Sequence, residues 1–260
     1  MKILFTGGGS AGHVTPNIAL IERARSEGWE CVYVGARAGI EKEIVEPLEI
    51  PYYPIASGKL RRYFDWQNFI DPFYILVGII QSLFICLRDR PDVVFSKGGF
   101  VAVPIVVAAW LCRVPVICHE SDVTPGLANK ICFPFARNIC VNFEQTRQYL
   151  PAGKVIVTGT PVRKSLLNGD RLRGLKYLGI TDEKPVLLVF GGSLGAKAIN
   201  EQVRQVVDRV TGQFVLVHVT GAGNEDKSFR ETPGYLQIEF LVDEFGDVLA
   251  AADIVIARAG

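Results

Sequence analysis

Apolar residues in this chain fall into short, nearly unbroken runs, and between the runs they recur with helical spacing. Ile3–Thr6, Glu30–Val34, Tyr52–Ile55, Asp92–Ser96, Val116–His119, Asn138–Val141 and Lys154–Thr158 read as strands. Pro16–Glu27, closed by Gly28, reads as an amphipathic helix, Glu41–Pro47 as a short one, and residues 66–88, Val103–Leu111 and Gly126–Phe133 as further helices. Pro104 sits in the first turn of its helix, where a missing N–H costs nothing. After Gly159-Thr160-Pro161 the pattern starts again. Pro185–Phe190, Phe214–Val219, Leu236–Phe240 and Ala252–Ala257 read as strands and Ala198–Val210 as a helix. Val- and Ile-rich strands alternating with helices predict parallel sheets covered on both faces.

The expected fold class is therefore α/β, with two Rossmann-like domains facing a cleft. The first spans residues 1–158, a hinge 159–165, and the second 166–260. A buried parallel strand followed by a glycine normally leads into a helix, whereas Arg258-Ala259-Gly260 closes the chain. The second domain is expected to be incomplete, with its C-terminal part missing.

Composition narrows the partners. Lys and Arg number 28 against 27 Asp and Glu, so no global field attracts nucleic acid. The cysteines at 31, 86, 112, 118, 132 and 140 have no Cys-x-x-Cys spacing and lie mostly in apolar runs. They read as buried free thiols of a reducing compartment, and with three scattered histidines no metal site is expected. Lys2 and three apolar residues before the first glycines are too short for a signal peptide. The apolar stretch Phe73–Leu87 is interrupted by Gln81 and Ser82 and is shorter than the roughly 20 residues of a spanning helix, so it reads as a buried or interfacial helix.

Two glycine loops carry the candidate chemistry. Gly7, Gly8, Gly9 and Gly12 follow the first strand, and Gly191-Gly192-Ser193-Leu194-Gly195 follows the first strand of the second half. A strand–glycine loop–helix junction gathers free N–H groups and the positive end of a helix dipole, a setting suited to phosphate. The first loop fits Gly-x-Gly-x-x-Gly, but the second strand ends Val34-Gly35-Ala36-Arg37 without the acid that holds a dinucleotide ribose, which leaves only a phosphorylated dinucleotide on Arg37 as a minor option. His13, just past the last glycine, is placed to take a proton at neutral pH, the alternative being a histidine that only binds its own loop. His119-Glu120-Ser121-Asp122 ends a strand with several polar groups, which need partners or ligands. It reads as a site or as a loop-stabilising cluster. Arg163, beside the hinge, has a planar fork suited to a diphosphate. Lys59-Leu60-Arg61-Arg62-Tyr63 precedes the apolar helix, and a basic cluster beside an exposed apolar helix suits an anionic lipid surface.

Seven segments together resemble the MurG family of peptidoglycan glycosyltransferases, in the form found in Gram-positive bacteria. They are Thr6-Gly-Gly-Gly-Ser-Ala-Gly-His-Val14, Ser57-Gly-Lys-Leu-Arg-Arg62, Ser96-Lys-Gly-Gly-Phe100, His119–Asn129, Gly159-Thr-Pro-Val-Arg163, Gly191-Gly-Ser-Leu-Gly-Ala196 and Arg258-Ala-Gly260. The resemblance implies the GT-B glycosyltransferase fold and inverting transfer of N-acetylglucosamine from UDP-N-acetylglucosamine to the 4-hydroxyl of the muramic acid in lipid I, giving lipid II, without a cofactor. It implies Ser10, Ala11 and Gly12 near donor sugar and acceptor diphosphate, Asp122 and Asn129 among the substrate contacts, Arg163 and Ser193 on the donor diphosphate, and Leu241 in the uracil pocket. His13 is the implied general base and Glu120 its reserve. Lys59, Arg61, Arg62, Phe73, Leu76, Ile80 and Phe84 are implied to dock on the inner leaflet, which makes the protein peripheral on the cytoplasmic face of the membrane.

Three features depart from that family's common pattern. Ser10 and Ala11 stand where Thr-Gly is commoner, Asp122 stands where many members have Asn, and the segment after Arg258-Ala-Gly260 that supplies donor-binding residues is absent. The chain is accordingly expected to bind the sugar nucleotide poorly and turn over little. The competing readings are a related glycolipid glycosyltransferase, such as a diacylglycerol sugar transferase, and a non-catalytic membrane-docking half-enzyme.

Overall fold

A strand that is apolar at every position has to be covered on both faces, and the first strand meets that requirement. Leu4 and Phe5, which point to opposite sides, are both at most 1% exposed. The computed structural model describes residues 1–58, 67–192, 195–241 and 244–258, and for Ala11 and residues 67–70 the backbone alone. Two compact units follow one another, Met1–Arg163 and Lys164–Gly260.

In the first unit β1 (Lys2–Thr6), α1 (Ala11–Ser26), β2 (Glu30–Ala36), α2 (Ile40–Val45) and β3 (Tyr52–Ile55) are followed by α3 (Gln67–Asp89), β4 (Val93–Ser96), α4 (Ala102–Leu111), β5 (Val116–Glu120), α5 (Leu127–Cys132), β6 (Asn138–Val141) and β7 (Val155–Val157). The strands form one sheet in the order β3-β2-β1-β4-β5-β6-β7, and every pairing is parallel. Ile3, Phe5, Cys31 and Tyr33 pack on one face with Val14, Ile21 and Val45 from α1 and α2. Leu4, Val34 and Val94 pack on the other with Cys86, Ile105, Val106 and Cys132 from α3, α4 and α5. The strand order reverses direction between β1 and β4, where Thr6 pairs with Ser96. Crevices at the carboxyl ends of strands flanking such a point are where open α/β sheets bind ligands.

The second unit contains α6 (Lys164–Leu167), α7 (Arg171–Leu178), β8 (Val186–Phe190), α8 (Lys197–Thr211), β9 (Val215–Val219), β10 (Tyr235–Ile238), α9 (Phe245–Ala251) and β11 (Ile254–Ala257). Its sheet runs β10-β9-β8-β11, again all parallel, with the reversal between β8 and β11. Helices α7 and α9 escape the apolar-periodicity reading because α7 is largely polar. Cap chemistry marks α7 instead: the Asp170 side chain accepts from the Arg173 N–H at 2.8 Å, and Gly179 closes it at φ 65°. Where α7 meets α9, a Cβ on Gly174 would sit 2.1 Å from the Asp247 carbonyl oxygen, so the two backbones approach as only glycine allows.

One boundary differs from the sequence reading in a way that matters for the site. Helix α1 begins at Ala11, five residues before the proline that was expected to open it, with Pro16 inside the helix and Ser10 at the N-cap. Proline's φ fits a helix, and close to the helix N-terminus its missing N–H forgoes a single bond, to the Gly12 carbonyl. His13 therefore lies in the first turn of α1 and not in the loop.

The six cysteines are free. Cys31, Cys86, Cys118 and Cys132 are buried, and Cys112 and Cys140 half-buried.

Candidate active site

The loop after β1 is held from behind by three buried side chains. Tyr33, on β2, donates to the Gly7 carbonyl at 2.7 Å. Asn17, on α1, donates to the Thr6 carbonyl at 3.2 Å and to the Tyr33 hydroxyl at 3.3 Å. Glu41, on α2, is 1% exposed and accepts from the Ala36 N–H at 3.0 Å and the Gly9 N–H at 3.3 Å. These residues were not singled out from sequence. An acid alone on a short helix carries no sign that its partners are main-chain donors elsewhere in the chain.

The first glycines pack the loop and do not face a ligand. A Cβ on Gly7 would fall 2.5 Å from the His13 carbonyl oxygen, and one on Gly8 would fall 2.6 Å from the Glu41 carboxylate. From the other side of the reversal, Gly99 at φ 84° would place a Cβ 2.1 Å from the Gly8 carbonyl oxygen, and the Gly8 N–H donates to the Gly98 carbonyl at 3.3 Å. The two glycine turns thus meet backbone to backbone. Gly9 and Gly12 border open space instead. Ser10 is exposed, and its hydroxyl does not cap α1. The open surface of the loop is therefore residues 9–12 and the first turn of α1, whose leading N–H groups have no intrahelical partner.

Next to that opening stand His13 and the ends of β4 and β5. The half-buried His13 ring lies next to the Lys97 backbone. Burial, then the Lys97 charge, hold its pKa below the ordinary imidazole value, against the pull of Glu120, the Lys97 backbone and Asp122. His13 is accordingly neutral at pH 7 and able to accept a proton. Lys97 is 1% exposed, its ammonium bonded to the Ser121 hydroxyl, and burial pushes its pKa down to about 8.

The group after β5 is built largely as internal scaffold. Glu120 is 3% exposed, and its oxygens accept from the Asp122 N–H at 3.0 Å, the Gly126 N–H at 3.0 Å and the Asn129 amide at 2.9 Å. Asn129 is equally buried, donates also to the His119 carbonyl at 3.1 Å, and lies under Gly98. Asp122 has its main chain tied to Glu120 and Thr146 and is exposed. His119 is 1% exposed and shares its Nε2 with the Gly159 carbonyl at 3.1 Å, tying β5 to the segment after β7.

The end of β2 is filled. Glu41 and Tyr52 crowd Gly35, and the Tyr52 hydroxyl donates to the Ala36 carbonyl at 2.7 Å. A buried carboxylate here occupies the Gly9 and Ala36 donors, which disfavours the phosphorylated-dinucleotide option on Arg37.

Residues 3–141 match the family model for the glycosyltransferase family 28 N-terminal domain, and residues 186–260 that for its C-terminal domain. The chain belongs to glycosyltransferase family 28. It is similar to the UDP-N-acetylglucosamine–N-acetylmuramyl-(pentapeptide) pyrophosphoryl-undecaprenol N-acetylglucosamine transferases of Legionella pneumophila, 52% identical over the whole chain and 72% of that protein, and Clostridium botulinum, 50% identical over the whole chain and 73% of that protein. Among solved structures it is similar to Acinetobacter baumannii MurG, with a TM-score of 0.73 at 24% identity over 100% of this chain and 72% of that one. It also resembles a UDP-N-acetylglucosamine 2-epimerase from Neisseria meningitidis, with a TM-score of 0.65 at 16% identity, covering 100% of this chain and 78% of that one. These two structural likenesses concern the fold.

The family 28 C-terminal domain repeats the loop architecture. A Cβ on Gly191 would meet the Ala196 Cβ at 2.5 Å, and Gly195, at φ 74°, lies against the Thr220 carbonyl, while Gly192 at φ 102° borders open space. The turn leads into α8, whose N-cap Ala196 has no capping side chain. Ser193 lies outside the described residues, as do Lys59, Arg61 and Arg62. Arg163 ends the first unit, half-buried. Leu241 is 8% exposed in the core beside Leu188, Val219 and Val248.

Phe73, Leu76, Ile80 and Phe84 are 66%, 54%, 48% and 71% exposed and form one face of α3. The opposite face packs on the unit: Ser82 and Cys86 are buried, Gln81 accepts from the Ala56 N–H at 2.7 Å, and Gly78 lies against Pro104.

Each unit also buries a histidine whose pKa falls to about 4, His119 through burial and then Lys97, and His218 through burial and then Arg204. The unfolded chain takes these protons below about pH 6.5, and the folded chain takes them only near pH 4. Stability is therefore full above pH 6.5 and declines as pH falls toward 4, by about 1.4 kcal/mol per pH unit for each histidine. Denaturant midpoints are expected to drop measurably between pH 7 and pH 5.5, above the carboxylate range. Constant midpoints over that interval would refute this.

Proposed function

We propose that the protein transfers N-acetylglucosamine from UDP-N-acetylglucosamine to the 4-hydroxyl of the muramic acid of lipid I, undecaprenyl-diphospho-muramoyl-pentapeptide, forming lipid II for peptidoglycan. The observation that carries the reading is a neutral His13 at the open N-terminus of α1 in a family 28 N-terminal domain. Held below its ordinary pKa by burial and then by the Lys97 charge, the neutral ring has a nitrogen lone pair to accept the acceptor hydroxyl proton. The hydroxyl oxygen then bonds to the anomeric carbon from the face opposite UDP, and the carbon–oxygen bond to the diphosphate breaks with its electron pair on UDP, so the configuration inverts. Free N–H groups and the helix dipole at residues 10–12 favour diphosphate charge. We assign donor-diphosphate binding to Arg163 and Ser193, sugar contact to Asp122 and the uracil neighbourhood to Leu241. Glu120 and Asn129 are assigned the support of the turn that carries Asp122 and not the roles of reserve base and substrate contact. The N-terminal unit is assigned the acceptor and the membrane, the C-terminal unit the sugar nucleotide.

The exposed apolar face of α3 and the preceding Lys59, Arg61 and Arg62 support docking on the inner leaflet, with the protein peripheral on the cytoplasmic side. The test is transfer of labelled N-acetylglucosamine in anionic vesicles carrying either lipid I or diacylglycerol. Labelling of lipid I alone is expected, and labelling of diacylglycerol would favour the related glycolipid enzyme. Sedimentation with the same vesicles should weaken at least about tenfold when Phe73 and Phe84 are both changed to Ser, since each buried phenylalanine contributes about 1.5–3 kcal/mol.

A further inference from the structure

We propose that Lys97 is a positioning residue for this transfer, joining the base to the turn after β5: its stem packs on the glycine turn against which His13 also lies, and its buried ammonium supports the turn that carries Asp122. The inference rests on the transfer reading for its purpose and on geometry for its content. Lys97 is the first residue after β4, on the far side of the strand-order reversal from His13, and its N–H donates to the Thr6 carbonyl at 2.9 Å. A Cβ on Gly7 would lie 3.0 Å from the Lys97 Cβ, so the lysine stem packs directly against the first glycine turn. The side chain is 1% exposed and bonds to the Ser121 hydroxyl, and the Ser121 carbonyl accepts from the Asn142 amide at 3.1 Å. One residue thus links β1, β4 and β5 at the end of the sheet where the candidate base stands.

An ammonium in this place is costly to bury, and an apolar chain of the same length would fill the space without that cost. Its charge has a use, however. The charged groups acting on His13 are Lys97 after β4 and Glu120 and Asp122 after β5, and Lys97 is the cation among them. It opposes protonation of the imidazole and offsets the two carboxylates that would favour it. Lys97 in turn is acted on by Glu120 and Asp122, which help retain its charge, and it lowers His119 as well. The lysine therefore keeps the base both in place and unprotonated.

The chain has three histidines, so isotope-labelled histidine gives three ring signals that can be followed by NMR from pH 4 to pH 10. In the parent protein the His13 signal is expected to show its own titration below the ordinary imidazole range and a second, smaller inflection near pH 8, where Lys97 loses its proton. Lys97→Met should move the first midpoint upward and abolish the second inflection. Lys97→Arg should keep the first midpoint low, because the charge remains, and also abolish the second. The buried His119 and His218 signals report whether each variant is folded. An unmoved His13 midpoint in folded Lys97→Met overturns the proposal. If that variant does not fold, the parent decides alone, and a single His13 inflection overturns it. No substrate enters either measurement, so failure here is separate from failure of the transfer reading. In the transfer assay, Lys97→Met should shift the acidic limb of the kcat/KM profile to higher pH, whereas simple unfolding would lower the amount of active protein at every pH alike.

Discussion

His13→Ala is expected to lower kcat for transfer to lipid I by about 10²–10⁴-fold, the range a positioned general base contributes. The affinity for the sugar nucleotide should change little. His13 lies next to the main chain of Lys97, its pKa is kept below the ordinary value by burial and the Lys97 charge, and it opens onto the free end of α1. Inversion in a single displacement requires one base and no covalent nucleophile, and Glu120 cannot take over from the imidazole, because its oxygens are engaged with Asp122, Gly126 and Asn129. Alanine in the first turn of a helix favours the fold, so lost activity would not reflect lost structure. His13→Gln should lose a similar factor, since an amide cannot take the proton. The checks are single-turnover rates together with sugar-nucleotide titration. An alanine variant within tenfold of the parent would remove His13 from the role of base.

Gly99→Ala is expected to destabilise the first unit by about 2–5 kcal/mol and to disable the site with it. Two costs add. The residue holds φ 84°, a conformation that costs a side-chain-bearing residue roughly 1–2 kcal/mol. Its Cβ would also stand 2.1 Å from the Gly8 carbonyl oxygen, an overlap that forces the two turns apart at a further cost of about 1–3 kcal/mol. Gly9→Ala is the matched control, for it has the same φ of 84° with open space around it. It should lose only the conformational part, about 1–2 kcal/mol. Urea unfolding of the three proteins separates the contributions, and equal losses in the two variants would show that the turn-to-turn contact does not carry the difference.

The fold was largely legible because its signal is local. Leu4, Val34, Val94 and Ile139 sit in apolar runs that admit one arrangement, a parallel strand covered on both faces, and all are fully buried. Gly28 and Gly179 end their helices with the left-handed backbone that glycine adopts freely. Helices α7 and α9 were illegible because their apolar face is narrow and their packing depends on glycines whose partners lie far away in sequence. Helix α1 starts before Pro16 because proline's fixed φ fits a helix and the bond forgone, to the Gly12 carbonyl, lies near the helix N-terminus.

The site divides the same way. By itself the sequence determined that a histidine and two glycine turns stand at the carboxyl ends of parallel strands, because a strand–turn–helix order places them there whatever else the chain does. It also determined that one long apolar helix stands between β3 and β4, while only packing decided that Phe73, Leu76, Ile80 and Phe84 face outward. Tertiary structure decided which glycines face a ligand and which hold two turns together, since Gly8 and Gly99 come into contact only through the strand order that sets β4 beside β1. It decided likewise that Glu120 and Asn129 support a turn, that Glu41 closes the end of β2, and that burial, with a lysine from another strand, keeps His13 neutral. Burial and neighbouring charge arise from residues distant in sequence, and those two quantities fix whether an ionisable side chain acts as scaffold or as reagent.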